Sequence, residues 1–161
     1  MKSADALSEL DRFSKALDRG TPDMAFSWKQ VKPWKGLFKQ WFRKEMPGEK
    51  ASQESGIYLI SDQDENILYI GKAAVDNLGA EIWGKFSAAT KLDENDIPYF
   101  GNSSLAKWAS EDKYREIVIQ GNVLIQTAVI KPKEFSSLAE VYLHIWCLKS
   151  GDWPPLNKRI G

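Results

Sequence analysis

Apolar residues recur near the start of the chain at Leu7, Leu10, Phe13 and Leu17 with charges between them, which predicts an amphipathic helix over residues 3–18. Gly20 and the turn-forming Thr21-Pro22-Asp23 end it. A second helical face, Trp34, Leu37, Phe38, Trp41 and Phe42, opens at Pro33, whose fixed φ suits a first helical turn, and stops at Pro47-Gly48. The polar run EKASQES then reads as a connection. Beyond it the period changes. Residues 57–61 and 67–70 are dense in β-prone side chains on either side of the polar DQDEN, the pattern of a hairpin. Leu78, Ile82 and Phe86 predict a helix opening near Asp76 or Asn77, and a short helix is expected from Ser103 after the acidic stretch of Asp93, Glu94 and Asp96. YREIVIQ and VLIQTAVI flank Gly121-Asn122 and read as a second hairpin. Leu138, Val141, Ile145 and Leu148 predict the apolar face of a last helix over 137–149, stopped by Gly151 and Pro154-Pro155.

This order predicts an α/β (α+β) chain, a small and mostly antiparallel sheet with helices packed on it. It divides into an N-terminal helical region, residues 1–50, and a domain over residues 51–161. With 161 residues, 43% hydrophobic and 27% charged, the chain fits one globular domain with a small appendage. Lys+Arg and Asp+Glu both total 22, so no global attraction to polyanions exists and any nucleic-acid contact must be local. A local excess lies between Trp28 and Lys50, where seven lysines and arginines face two glutamates. Lys35, Lys39 and Arg43 fall on one helical stripe there and are candidate DNA phosphate contacts, a solvated rim being the plainer alternative. The single cysteine, Cys147, sits in the apolar YLHIWCL and reads as core, in keeping with a reduced, cytoplasmic setting. No run reaches the length of a membrane span and the start lacks an apolar leader, so no membrane partner is expected.

The first hairpin carries two short signatures, Gly56-Ile57-Tyr58 and Tyr69-Ile70-Gly71. As local structure these are aromatics packed at the ends of a hairpin. Taken with the helix NLGAEIWGKF, the later SLAEVYLHIW and the terminal Pro-Pro-Leu-Asn, the stretch from Gly56 to Asn157 resembles the GIY-YIG nuclease family. The resemblance implies a three-stranded antiparallel sheet flanked by helices and a metal-dependent DNA endonuclease that hydrolyses phosphodiester bonds with Mg²⁺ or Mn²⁺. It casts Tyr58 as acceptor of the water's proton and Tyr69 as its partner in positioning water or phosphate. Lys72 lies close to the site, Glu140 is the metal ligand, and Asn157 either fixes local structure or touches substrate. A phenol begins near pKa ~10 and serves as a base only when a cation lowers that value. A carboxylate suits Mg²⁺, which prefers oxygen; Ser137-Leu-Ala-Glu140 also fits a capping box. His144, the only histidine, reads as a helix neighbour.

Two positions depart from the family pattern. The helix after YIG normally carries an arginine for the scissile phosphate, followed four residues on by histidine or tyrosine; here these are Glu81 and Lys85. The charge is reversed, and the expected consequence is impaired cleavage. An inactivating substitution, a natural pseudo-enzyme and a rearranged site in which Glu81 joins Glu140 on the metal all account for it, as does an ordinary i,i+4 surface pair. The alternative function is a non-catalytic nucleic-acid-binding module on the same scaffold.

Overall fold

The computed structural model of this chain describes residues 1–17, 23–31, 51–86, 91–92, 98–100 and 103–158. In chain order its elements are α1 (Ser3–Ala16), β1 (Asp23–Val31), β2 (Gly56–Ser61), β3 (Ile67–Ala73), α2 (Leu78–Phe86), β4 (Lys91–Leu92), β5 (Pro98–Tyr99), α3 (Ser104–Trp108), α4 (Asp112–Ile119), β6 (Val123–Lys131) and α5 (Phe135–Lys149). The chain is mixed α/β, and the antiparallel strands β6-β2-β3 form its small sheet. β1 adds a fourth strand by pairing antiparallel with β6, from Asp23↔Lys131 to Val31↔Val123. Part of the N-terminal stretch expected to be helical is thus a strand. The helix expected from Pro33 lies outside the described residues. β4 and β5 make a separate two-stranded ribbon.

The DQDEN loop turns the chain between β2 and β3. Asp62 Oδ1 accepts the backbone N–H groups of Asp64 at 3.0 Å and Asn66 at 2.8 Å, and Glu65 sits at φ 64°. A short carboxylate is suited to replacing backbone partners in such a turn. The polar connection before the hairpin is tied down where it is described. Leu78 N–H donates to Glu54 O, Ile130 N–H donates to Ser55 O, and Ser55 Oγ donates to Asp76 Oδ1 at 2.7 Å.

The expected second hairpin is a helix followed by a strand. Gly121, at φ 65°, stops α4 instead of turning a hairpin: its N–H donates to Val118 O, and Asn122 N–H donates to Ile117 O. That pair of bonds closes a helix on a left-handed glycine. Asp112 in the first turn complements the helix dipole, and Val118 is fully buried. α5 ends as expected, with Gly151 at φ 74°, but it buries a different stripe. Ser136, Ala139, Glu140, Leu143, His144 and Cys147 are buried, whereas Leu138, Ile145 and Leu148 are 47%, 43% and 54% exposed.

Alternation along the strands splits the core between the two faces of the sheet. On one face Tyr58, Ile60, Tyr69 and Ala73 meet Leu78, Ile82 and Phe86 of α2, Leu105 of α3 and Val118 of α4. On the other, Ile57, Leu59, Ile70 and Ala128 meet Leu10 and Phe13 of α1 and Ala139, Leu143 and Cys147 of α5. Among the described residues no helix is long and apolar enough to cross a membrane.

Candidate active site

Each tyrosine signature owes its glycine to a close approach. A Cβ at Gly56 would stand 2.0 Å from the carbonyl oxygen of Ala128, so only glycine lets β2 lie this near β6. A Cβ at Gly71 would stand 2.5 Å from Tyr58 Cζ and 2.7 Å from Tyr69 Cε1. In the ladder Tyr58 faces Gly71 and Tyr69 faces Ile60, so both phenols rise from one face of the hairpin over the space that Gly71 leaves. Their ring centres are 5.9 Å apart.

Both tyrosines are buried. Burial pushes the Tyr58 phenol well above its ordinary pKa, and Tyr69, Glu81 and Glu140 add to the rise. Burial also raises Tyr69, with Glu140 and Glu81 acting in the same direction. The two hydroxyls are hydrogen-bonded to each other, so one of them donates and the proton of the other is left for a further acceptor.

α2 sets Glu81 and Lys85 one turn apart beside these phenols. Glu81 Oε1 accepts from Asn77 Nδ2 at 3.2 Å. Lys85 Nζ lies 5.7 Å from the Tyr69 ring centre and 5.3 Å from that of Trp108, whose ring stacks on Tyr69 at 5.9 Å. These are cation–π distances. Trp108 was not singled out from the sequence, because a tryptophan closing a five-residue helix has no spacing signal of its own.

Lys72 follows Gly71 in an unbroken ladder and projects from the opposite face, where α5 packs. Its Nζ lies 2.8 Å from Glu140 Oε2. The capping box considered for Glu140 does not form, because α5 starts at Phe135 with Glu134 as its N-cap and Ser137 is already inside the helix. The charge of Glu140 nevertheless acts on both phenols. One turn further on, His144 is fully buried and stacks on Trp153 at 5.2 Å. Burial holds its pKa below the usual histidine value, against the opposing influence of Glu140 and Asn157. Burial also pushes the Cys147 thiol up to about 11, which suits a core residue and not a nucleophile.

The amide of Asn157 is taken up by the backbone of Ile70. Oδ1 accepts Ile70 N–H at 2.8 Å and Nδ2 donates to Ile70 O at 2.8 Å. β3 is an edge of the sheet, so these bonds, with Leu156 N–H donating to Leu68 O, close that edge beside Tyr69. Of the two roles the resemblance allows Asn157, its amide serves the fixing of local structure. Lys35, Lys39 and Arg43 lie outside the described residues.

Among the described residues no three or more His, Cys, Asp or Glu side chains gather as a metal cage, so a closed zinc-type site is absent there. The Glu140 carboxylate is the oxygen donor that a harder ion such as Mg²⁺ takes singly while keeping most of its water. Comparison of the chain with protein-family models, with curated proteins and with solved structures finds no match in any of the three.

Proposed function

We propose that this chain carries a DNA endonuclease site of the GIY-YIG kind, acting on phosphodiester bonds and held at low activity by Glu81. The observation that carries this reading is the pair of hairpin phenols hydrogen-bonded over Gly71 within the field of Glu140. Mg²⁺ or Mn²⁺ held by Glu140 and water would supply a Lewis acid for the phosphate and a more acidic water. The protein's own contribution begins with orientation: the bond between Tyr58 and Tyr69 holds the two phenols together and leaves one hydroxyl proton to offer a phosphate oxygen or the attacking water. Tyr58 can take a proton only as phenolate, and burial with the Glu81 charge opposes that form. Glu81 therefore acts against the reaction twice, by repelling the phosphate and by holding Tyr58 neutral. The same effect favours the second reading, a binding module that uses the scaffold without cleavage.

Glu81→Arg tests the choice. It replaces a repelling carboxylate by paired donors, and an arginine so placed contributes on the order of 10³-fold or more in rate. Mg²⁺-dependent cleavage of double- or single-stranded DNA should appear or rise steeply, with Glu81→Lys weaker, and tyrosinate absorbance should titrate at lower pH as Tyr58 is relieved. If neither the parent nor a folded Glu81→Arg protein cleaves either DNA form, the binding module is favoured. Cleavage by the parent chain that Glu81→Arg abolishes would place Glu81 on the metal in a rearranged site.

A further inference from the structure

The carboxylate assigned to the metal already has a cation beside it. Lys72 Nζ lies 2.8 Å from Glu140 Oε2, and the Glu140 side chain is only 7% exposed while that of Lys72 is 30% exposed. Leaving a carboxylate so withdrawn from water without a counter-charge is costly. The two partners differ in freedom. Glu140 is held on the buried stripe of α5 between Ala139 and Leu143, whereas Lys72 reaches it on a flexible four-carbon stem from near the end of the edge strand β3. An inner-sphere Mg²⁺ sits about 2.0–2.1 Å from its carboxylate oxygen. The ammonium 2.8 Å from Oε2 takes up that oxygen and repels a dication approaching either oxygen of the carboxylate. Metal and lysine therefore compete, and the lysine is the partner able to leave.

Resting on the reading above, we infer that Lys72 is a built-in stand-in cation: it neutralises Glu140 in the resting protein, yields that carboxylate to a divalent ion, and then meets a nucleic-acid phosphate. The phosphate needs such a group because Glu81 adds negative charge beside the phenols, where the ammonium of Lys85 is engaged with the rings of Tyr69 and Trp108. Metal entry thus turns a neutral ion pair into a cation with a free ammonium next to it. Metal and DNA binding become coupled, and the coupling is reciprocal.

The two halves of the role respond to Lys72→Met in opposite directions, which a purely structural lysine does not predict. Mn²⁺ affinity, followed on the full chain by water relaxation enhancement, should tighten in Lys72→Met and Lys72→Gln by about 5- to 150-fold, the span of ordinary site couplings. Anisotropy of a labelled duplex at constant ionic strength should show DNA affinity rising with Mg²⁺ in the parent and not in either variant. Glu140→Gln separates this inference from the one beneath it. If Glu140→Gln binds Mn²⁺ as well as the parent does, the assignment of Glu140 as ligand fails. If Glu140→Gln loses Mn²⁺ but Lys72→Met binds it no more tightly than the parent, the exchange alone is overturned. Should neither Lys72 variant fold, the parent suffices: the slowly exchanging ¹⁵N ammonium signal of Lys72 should broaden away with saturating Mg²⁺. Its persistence with the ion bound would overturn the exchange.

Discussion

His144 lies on the buried stripe of α5 and stacks on the indole of Trp153, where its charged form loses water. Burial sets its folded pKa below the unfolded value of about 6.5, so the unfolded chain binds the proton more tightly. The stability that depends on neutral His144 is present above about pH 6.5 and is lost as pH falls through the lowered folded value. Denaturant midpoints measured across this interval should drop on acidification, and His144→Phe, which keeps a ring against Trp153 without titrating, should flatten the drop. An equal slope in both proteins would move the acid sensitivity to other groups. The phenols follow the same logic with the opposite charge: burial favours neutral Tyr58, and the Glu81 charge adds to that preference.

α5 carries two stripes that both look fit for a core. Leu138, Val141, Ile145 and Leu148 form the more apolar one, and the inward stripe mixes Ala139, Leu143 and Cys147 with Ser136, Glu140 and His144. A helix apolar on most sides does not choose its buried face by period. The choice comes from tertiary partners: Lys72 for Glu140, Trp153 for His144, and Leu10, Phe13 and Ile70 for the apolar members. Leu143→Ala should therefore cost about 2–5 kcal/mol, as buried leucine truncations do. Leu138→Gln and Ile145→Gln should each change stability by about 0.5 kcal/mol or less. Urea denaturation decides; a large loss at Leu138 with none at Leu143 would reverse the assigned faces. α4 makes the same point from the other side. Ile117-Val118-Ile119 has strand composition, yet the Gly121 stop fixes it as helix.

Across the whole molecule the ends of the chain support the hairpin that bears the site. α1 packs on the face of the sheet that α5 also covers, with Phe13 stacked on Tyr142 at 4.4 Å. β1 extends the sheet beyond β6. At the opposite edge Leu156 and Asn157 occupy the outward backbone groups of Leu68 and Ile70, which flank Tyr69. Asn157→Ala removes both amide bonds and leaves Ile70 N–H and C=O without them, a loss of about 1–3 kcal/mol. Amide hydrogen exchange should accelerate at Ile70 more than at Leu59 on the inner strand β2. Uniform acceleration at both would mean that the clamp supports the global fold and not this edge.

The hairpin, the helix of Leu78, Ile82 and Phe86, the Ser103 cap and the Gly151 stop were legible because each depends on neighbours within a turn or two of chain. β1 had a signal of its own, the alternation of Met24, Phe26 and Trp28, but helical faces on either side concealed it, and only β6 could give it a partner. The sequence by itself determined the chemistry-bearing residue types and the local elements that hold them. Tertiary structure decided that Gly71 makes room for two phenols, that Glu140 faces Lys72, and that Asn157 grips a backbone 87 residues away. Local propensities act through a few dihedrals and adjacent side chains, whereas these pairings depend on which faces are buried when distant segments pack together.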